Sequence, residues 1–414
     1  MKTIVFARHT PTFRIYKLAK ALKKHGGYKT KLLGIRVNQE MFGDVFDEIY
    51  SLDTFLSKTL EKGNKLGRFF SKAVRLGKKI PAVNKAQSKI LEEISRLRLK
   101  EFTSLVKKME KEAYLFHVVT EPNEIPELVM KNTKKPVVYD VYDFTGLRFG
   151  VGELKKDEKE RERFCLEKAD GISMKFPEWI LNYYRELGYK INCPVLTFID
   201  YCLPEFFDYQ EKNLKNKDIH LVYTGVISPT SANPAYNGNN QHIETIKRII
   251  AQNIYFHLYI PPWYRENKED YADYFQLSKS NKYFQIHKSR HQPDLQKEIS
   301  RYHFGCILND FSKTKHTKLF EETSFGNKFS TYLEAGLPVI VNENLKLNAE
   351  YVENYEVGFK INLNNLSELS RKIKEADYQN LKNNVKKVRE KSLNAYNNIN
   401  KLTDFYQKVI TNKI

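Results

Sequence analysis

One stretch of the chain places a glycine-containing loop, a lysine and a short helix in an order that suits the binding of an anion. Gly326 lies in the loop, Lys328 stands in the first turn of the predicted helix, Gly336 ends that helix and Pro338 begins a strand. The free N–H groups and the positive dipole end of a helix attract negative charge. A lysine ammonium in the first turn can meet the same anion. The pattern therefore predicts an anion site in the second half of the chain.

Titratable side chains at the ends of predicted strands form a second candidate site, in the first half of the chain. His117 lies near the end of one apolar run, and Asp140 and Asp143 flank Tyr142 at the end of another. As functional groups, the carboxylates would point into a cleft and hold a substrate hydroxyl group. The structural alternative is that the aspartates cap and turn the chain and that His117 is a packed core histidine.

Short apolar runs alternate with helical patterns on both sides of a polar segment. This alternation indicates which strands and helices carry the residues of the two candidate sites. Predicted strands recur from Lys2–Arg8 to Val195–Ile199, and the rhythm restarts at His220–Gly225. Alternating strands and helices indicate βαβ units and a parallel sheet in each half. The polar stretch 211–217 is the best linker candidate, and a long polar helical region, Leu366–Val409, closes the chain.

The 414-residue chain carries a net charge of +19, and the excess is unevenly distributed. The segment Lys58–Lys111 holds 16 Lys/Arg and 5 Glu, a net charge of +11, with apolar residues at helical intervals. It is either a pair of core-packed helices with solvated basic faces or a basic amphipathic surface for anionic lipid or a polyanionic acceptor. No RNA-reading, zinc-finger or basic-zipper motif is present, so nucleic acid is not an expected partner.

The cysteines and the apolar runs indicate in which cellular compartment the protein is expected. The four cysteines lack the CxxC or Cys/His spacing of a metal site and are expected to be reduced in the cytosol. No apolar run reaches the roughly 18 residues of a membrane-spanning helix, and the N-terminus lacks the pattern of a signal peptide. We expect a cytoplasmic protein, and the basic segment allows peripheral attachment at the inner face of the membrane.

The run from Asn327 to Ile340, Asn-Lys-Phe-Ser-Thr-Tyr-Leu-Glu-Ala-Gly-Leu-Pro-Val-Ile, resembles the donor-binding signature of GT-B glycosyltransferases, and specifically of glycosyltransferase family 4. The runs His117–Pro126 and Pro136–Asp143 are similar to two central strand ends of that family. The resemblance implies an α/β fold with two Rossmann-like domains that face an interdomain cleft. The N-terminal, acceptor-side domain would comprise residues 1–207, with a basic helical insertion at about 58–112.

The same resemblance implies a role for each remaining part of the chain. Residues 218–390 would form the nucleotide-sugar-binding domain, and residues 391–414 a C-terminal helix that packs back toward the N-terminal domain. His117, Asp140 and Asp143 would be the catalytic groups on the acceptor side. The donor would bind to Gly225, Lys288, Arg290, Asn327, Lys328, Phe329, Ser330, Thr331 and Glu334.

The chain departs from the family pattern at two places. The family's two glutamates around this helix, the second of which binds the donor ribose, fall at Thr323 and Thr331. The loop 225–234 carries no basic residue where the family tends to place one. Neutralisation of a diphosphate would therefore depend on the lysines and the arginine just named for the donor site.

The resemblance implies transfer of a sugar, with retention of configuration, from a nucleotide-sugar donor to a cell-surface glycan or lipid-linked acceptor. The protein would stabilise the charge that develops on the leaving diphosphate. Because basic side chains and a helix dipole would do this, no metal is expected, and the sequence 140–143 is not expected to bind one. No cofactor is expected, since the nucleotide-sugar is a substrate. The alternatives are a catalytically silent GT-B subunit that supports a partner enzyme, and a GT-B nucleotide-sugar epimerase.

Overall fold

The computed structural model describes residues 1–53, 99–207, 218–261 and 269–413. Within these ranges the chain forms two α/β units, and each is built on one sheet of parallel strands. This confirms the predicted fold class. The predictions for residues 58–98 of the basic segment and for the linker at 211–217 lie outside the described residues.

The first unit contains a seven-stranded parallel sheet. Its strands are β1 (Lys2–Arg8), β2 (Tyr28–Gly34), β3 (Glu48–Ser51), β4 (Ala113–Val119), β5 (Val137–Val141), β6 (Gly171–Met174) and β7 (Val195–Thr197). They lie in the order β3-β2-β1-β4-β5-β6-β7. All five residues of β5 are buried, as expected for a central strand that is covered on both faces.

Helices of the first unit pack against this sheet. They are α1 (Phe13–His25), α2 (Gln39–Phe42), α3 (Glu124–Asn132), α4 (Thr145–Phe149), α5 (Lys156–Lys168) and α6 (Ile180–Glu186). Residues 99–110 are also helical. Helix α5 was not predicted, because its sequence is dominated by charged side chains and only Glu162, Cys165 and Leu166 are buried. Its apolar stripe is too narrow to give a clear helical period.

The second unit contains a six-stranded parallel sheet. Its strands are β8 (His220–Thr224), β9 (Tyr255–Ile260), β10 (Phe284–Lys288), β11 (Phe304–Ile307), β12 (Val339–Asn342) and β13 (Gly358–Ile361). They lie in the order β10-β9-β8-β11-β12-β13. The chain order therefore reverses between β8 and β11, as it does between β1 and β4 in the first sheet. In open parallel sheets, ligands bind in the crevice that such a reversal leaves at the carboxyl ends of the strands.

In its described residues the second unit has helices of four to nine residues. They are α7 (Pro234–Asn237), α8 (Ile243–Ile250), α9 (Ala272–Ser280), α10 (Asp294–Ile299), α11 (Lys318–Thr323), α12 (Lys328–Glu334) and α13 (Lys346–Asn354). Helix α12 is the helix predicted for the anion site, and Gly336 follows it with φ of +71°, in the left-handed region that favours glycine.

The C-terminal region, predicted as one long helical stretch, forms three helices: α14 (Leu369–Glu375), α15 (Tyr378–Glu390) and α16 (Ala395–Lys413). Helix α16 packs against α1 and β7 of the first unit. This packing is close, because a Cβ on Gly171 would lie 2.4 Å from Cγ2 of Val409. Within the part of the chain that the structure describes, no helix combines the length and apolar character needed to span a bilayer.

Candidate functional site

A cavity of about 440 Å³ lies between the two units, where the carboxyl ends of both sheets meet. The first unit lines it with Tyr142, Asp143, Arg148 and Lys175. The second unit lines it with Thr224, Gly225, Val226, Asn239, Asn240, Ser289, Gln292, Leu295, Ile307, Asn309, Phe311, Phe320, Ser324, Phe325, Gly326, Asn327, Lys328, Thr331, Leu345 and Asn348. The cavity therefore occupies the position at which parallel sheets of this kind bind ligands.

Lys175 follows β6 directly and brings a buried positive charge to the cavity. The residue is 5% exposed, and its Nζ lies 3.3 Å from Oδ1 of Asp143 and 4.1 Å from the centre of the Tyr142 ring. Burial favours the neutral amine, but Asp143 and Tyr142 outweigh burial and raise the pKa of Lys175 above its ordinary value. The side chain therefore stays protonated at neutral pH.

Lys328 begins α12 and brings a second ammonium group from the opposite unit. Its Nζ lies 5.0 Å from the centre of the Tyr223 ring. A Cβ on Gly225 would lie 3.2 Å from Cε of Lys328, and Gly225 has φ of +128°, a conformation that favours glycine. Burial, and then the charge of Lys175, lower the pKa of Lys328 to about 8. Among the described residues, no carboxylate forms an ion pair with Lys328.

The charges that line the cavity do not cancel. Three lining side chains are cationic, those of Arg148, Lys175 and Lys328, whereas Asp143 is the one carboxylate among the described lining residues. Arg148 lies 3.7 Å from Glu121, measured from Nη1 to Oε1, and Asp143 pairs with Lys175. Among the described residues Lys328 thus has no carboxylate partner, and a bound anion could take that place. A partly enclosed site with excess positive charge favours an anion.

Asn327 connects the two units across the cavity. Its Nδ2 donates a hydrogen bond to the hydroxyl group of Tyr142, and its main-chain carbonyl accepts a bond of 3.2 Å from the Thr331 hydroxyl group. Asn327 is the N-cap residue of α12 but makes no side-chain capping bond. Its side chain is therefore free to reach the first unit, and the contact brings the two walls of the cavity together.

His117 and Asp140 do not line the cavity, which corrects the prediction that both are catalytic groups on the acceptor side. Both side chains are 0% exposed, because they lie within β4 and β5 rather than beyond the strand ends. Arg14 donates to Asp140 with bonds of 2.8 and 2.9 Å, and His117 contacts Asp140 and Tyr406 at 3.1 and 2.7 Å. Despite burial, Arg14 and His117 lower the pKa of Asp140. Asp143, beyond the end of β5, does line the cavity.

Three residues of α12 that were predicted to bind the donor, Phe329, Ser330 and Glu334, face the protein interior instead of the cavity. Phe329 is 0% exposed and its ring packs against the rings of Phe325 and Tyr351. Ser330 accepts a hydrogen bond from Lys17 at 3.2 Å. Glu334 is 0% exposed and accepts hydrogen bonds from the Leu203 N–H and the Gln296 amide. These residues pack the helix in place and do not line the cavity; Thr331 on the same helix does.

Glu334 instead joins the two units on the side away from the cavity. Its Oε1 lies 2.6 Å from Nζ of Lys17 on α1, with both side chains at most 8% exposed. Arg389 on α15 donates to the main-chain carbonyl of Glu334 at 2.9 Å. The resemblance correctly identified the helix, but only the tertiary structure separates the residues that face the cavity from those that face the junction.

Lys288 and Arg290, the two basic residues near the end of β10 that were predicted to bind the donor, also do not line the cavity. Lys288 is exposed. The Arg290 side chain is 60% exposed and pairs with Glu298. Their neighbours Ser289 and Gln292 line the cavity instead.

Sequence reasoning missed several polar residues of the cavity wall. Lys175 comes directly after β6, and Asn309 comes two residues after β11. Both could have been found by inspecting the polar residues that follow each predicted parallel strand, since the carboxyl ends of the strands meet in the crevice. Asn239 follows no strand and lies in a short turn, and no local signal distinguishes it. Among the described residues, no group of three His, Cys, Asp or Glu side chains could hold a metal ion.

The second unit matches a family model. Residues 236–404 match the model described as "Glucosyltransferase 3-like, C-terminal domain". No curated protein sequence matches the chain. The family match therefore covers part of the second unit and the C-terminal helices, but not the first unit.

Solved structures resemble the chain over its whole length. An α,α-trehalose-phosphate synthase (UDP-forming) from Burkholderia vietnamiensis is 8% identical, with a TM-score of 0.60 over 100% of this chain and 99% of that one. A co-structure of S. aureus MnaA with UDP is 12% identical, with a TM-score of 0.54 over 100% and 98%. A trehalose-6-phosphate synthase studied for glycosyl transfer with retention is 9% identical, with a TM-score of 0.58 over 98% and 99%. At these identities the likeness establishes the fold, which is GT-B; membership of family 4 stays a prediction.

Proposed function

We propose that this protein is a glycosyltransferase that moves a sugar from a nucleoside diphosphate sugar to an acceptor hydroxyl group. The observation that carries the proposal is the pair of ammonium groups on opposite walls of the cavity, Lys175 and Lys328, of which Lys328 has no carboxylate partner among the described residues. A diphosphate supplies the negative charge that this arrangement lacks. A nucleotide-sugar also suits a cavity with mixed polar and apolar walls between two Rossmann-like units.

The two lysines would act most strongly when the sugar bond breaks. Negative charge then grows on the leaving diphosphate, and a fixed ammonium group stabilises it more than it stabilises the bound donor. A charge-assisted hydrogen bond of this kind contributes about 1.5–3 kcal/mol. The Asn327–Tyr142 contact would hold the two walls together and limit the entry of water, which would otherwise hydrolyse the donor. Retention of configuration and independence from metal belong to the same proposal, and rest on the resemblance to family 4.

UDP-glucose is the first donor to test. Two structural relatives are described with UDP, one as a UDP-forming enzyme and one as a complex with UDP. The family model that matches the second unit is described as glucosyltransferase-like. Both lines of support come from other proteins, so the nucleotide and the sugar stay proposals for this chain.

Calorimetric titration of the purified protein with UDP, GDP and CDP, followed by assay of UDP-glucose turnover, tests the proposed function. We expect UDP to bind most tightly and the donor to be consumed once an acceptor is supplied. Absence of binding to all three nucleotides would contradict the proposal. Binding without transfer or hydrolysis, over a panel of glycan and lipid-linked acceptors, would instead favour a catalytically silent subunit.

The acceptor is proposed to be a cell-surface glycan or a lipid-linked sugar, reached at the cytoplasmic face of a membrane. The support is the net charge of +11 over Lys58–Lys111, in the half of the chain that would bind the acceptor. Each basic residue near an anionic surface contributes up to about 1 kcal/mol, and salt weakens the attraction. Sedimentation with anionic vesicles at low salt should pull down the protein, with less at high salt and none with neutral vesicles. Equal binding to both vesicle types would argue against charge-driven attachment.

A further inference from the structure

Three carboxamide oxygen atoms at the cavity lack a hydrogen-bond partner in the described part of the chain. They are Oδ1 of Asn239, Oε1 of Gln292 and Oδ1 of Asn327, each buried at the atom itself. Buried polar atoms in proteins are almost always paired, so three unpaired acceptors around one cavity indicate a ligand with several donor groups. A diphosphate has no donor to offer. We therefore take these oxygen atoms to be acceptors for hydroxyl groups elsewhere in the molecule that binds here.

Asn239 is the most firmly positioned of the three. It is 7% exposed. Asn309 holds its main chain, because Nδ2 of Asn309 donates to the Asn239 carbonyl at 3.0 Å and to Oδ1 of Asn240 at 2.9 Å. Asn309 is held in turn by Asn342, whose Nδ2 donates to the Asn309 carbonyl at 2.8 Å. Asn309 and Asn342 thus fix the position of the Asn239 main chain, and the side-chain oxygen of Asn239 has no hydrogen-bond partner in the described part of the chain.

The strand order of the second sheet fixes where Asn239 lies relative to the diphosphate. Gly225, beside Lys328, follows β8; Gln292 belongs to the loop after β10, and Asn309 to the loop after β11. With strands about 4.8 Å apart, Gln292 lies on one side of the lysine and the Asn239–Asn309 pair on the other. A nucleotide-sugar has its diphosphate between the nucleoside and the sugar. One end must therefore extend toward Gln292 and the other toward Asn239.

The sugar is the end that extends toward Asn239, because that side adjoins the first unit. Phe311, two residues beyond Asn309, packs against His316 with ring centroids 5.4 Å apart. His316 packs in turn against Phe149 of α4, at 5.1 Å. The sugar must reach an acceptor, and on the proposed function the first unit supplies the acceptor side. The nucleoside would then extend toward the other side, where Gln292 and Leu295 line the cavity.

We propose that the side-chain carbonyl of Asn239 accepts a hydrogen bond from one hydroxyl group of the transferred sugar and so selects which sugar is used. This proposal rests on the proposed function. A site built to pair with a hydroxyl group discriminates strongly against an analogue that lacks it, because the buried acceptor is then left unpaired. Asn239 is thus a specificity-determining residue for the donor sugar and makes no contact with the nucleotide.

The test compares binding of UDP with binding of UDP-glucose. For Asn239→Ala we expect the affinity for UDP to stay within about twofold of wild type, and the affinity for UDP-glucose to fall about tenfold, the scale of one buried hydrogen bond. Asn237→Ala is the matched control, since Asn237 is exposed and does not line the cavity. It should leave both affinities unchanged. Equal loss of UDP and UDP-glucose binding in Asn239→Ala would overturn the assignment, as would no loss of either.

A second measurement varies the ligand and compares the wild type with Asn239→Ala. Wild-type protein is titrated with UDP-glucose analogues that each lack one hydroxyl group of the glucose, and one analogue is expected to bind about tenfold more weakly than the rest. In Asn239→Ala that same analogue should bind as well as UDP-glucose itself. Equal binding of all analogues to the wild type would overturn the proposal about Asn239. Failure of the wild type to bind UDP at all would instead refute the proposed function on which it rests.

Discussion

Two groups of charged side chains, a buried one inside the first unit and a partly buried one at the cavity, differ in whether every member has an oppositely charged partner. Inside the first unit, Arg14 contacts both Asp140 and Asp200 at 2.8 Å, and all three side chains are at most 4% exposed. At the cavity, Lys175 is paired with Asp143, but Lys328 has no such partner in the described part of the chain. Every charged side chain of the first group has an oppositely charged partner, whereas Lys328 in the second group has none among the described residues.

This difference separates residues that stabilise the fold from residues that bind. A buried ion pair keeps its charges at an acceptable cost because each partner replaces the lost water. A partly buried ammonium group without a carboxylate partner costs stability, as the lowered pKa of Lys328 indicates. Such a group is retained where a ligand of opposite charge compensates for it. The predictions below test this contrast, from the largest expected effect to the smallest.

Replacement of Arg14, the cation that contacts Asp140 and Asp200 inside the first unit, should have the largest effect. Arg14→Met leaves Asp140 and Asp200 buried together without their guanidinium partner, and should lower the free energy of unfolding by about 3–5 kcal/mol. Denaturant unfolding measures this. Lys20→Met is the control, because the Lys20–Asp44 pair is partly exposed, at 29% and 55%. An exposed pair contributes about 0–1 kcal/mol. A loss of similar size in both variants would contradict the contrast.

Replacement of Lys328, which has no carboxylate partner among the described residues, should weaken binding of the donor without lowering the free energy of unfolding. Lys328→Met is expected to reduce the free energy of nucleotide-sugar binding by about 1.5–3 kcal/mol, the scale of a charge-assisted hydrogen bond. Its free energy of unfolding should stay equal to that of wild type or rise by about 1 kcal/mol, since the variant buries no unpaired charge.

Lys288→Met gives the matched comparison for Lys328→Met. Lys288 is an exposed lysine that the sequence also placed at the donor site, but it does not line the cavity. Calorimetric titration with UDP-glucose should give wild-type affinity for Lys288→Met. Equal losses of affinity in the two variants would mean that general positive charge attracts the donor, and not the ammonium group at the cavity.

The pKa of Lys328 predicts how donor binding depends on pH. This pKa is lowered to about 8 in the free protein, and a bound diphosphate would raise it, because it favours the charged form. Affinity is therefore full below pH 8 and falls as the pH rises beyond it, by up to about tenfold per unit, until the pKa of the complex is reached. Titrations with UDP from pH 6.5 to 9.5 measure the change. In Lys328→Arg the guanidinium stays protonated throughout, and the decline should disappear.

Chelation of metal ions should have the smallest effect. If lysines supply the positive charge at the diphosphate, addition of EDTA should leave the rate of sugar transfer unchanged. Assay with EDTA, and again after addition of excess Mg²⁺ or Mn²⁺, measures this. Loss of transfer with EDTA and recovery with either ion would show that Lys175 and Lys328 do not compensate the diphosphate by themselves.

Much of the fold could be predicted because the signals that specify it are local. Strands β1, β7 and β8 and helix α12 lie within two residues of their predicted bounds. Apolar periodicity is carried by neighbouring residues and needs no knowledge of the rest of the molecule. The prediction failed where that signal was weak, as at the charged helix α5, or where breaks between helices were hidden, as in the region Leu366–Val409, which forms three helices.

The candidate site was predicted less completely, because lining a cavity depends on direction as well as position. The sequence placed Asp143, Gly225, Asn327, Lys328 and Thr331 at the site, and all five line the cavity. It also placed Phe329, Ser330 and Glu334 there, on the same helix as Thr331. Successive residues of a helix point about 100° apart, so one side of α12 faces the cavity and the other faces the junction with Lys17.

By itself, the sequence determined two parallel α/β units and the helix that bears Lys328. Only the tertiary structure decided that Asp140 pairs with Arg14, 126 residues away in the chain, while Asp143 pairs with Lys175 at the cavity wall. A strand reverses the direction of its side chains at every residue, so a shift of a few positions exchanges an interior residue for a residue of the site. Whether a charged side chain has an oppositely charged partner depends on groups distant in sequence. Only the packing of the folded chain brings those groups together.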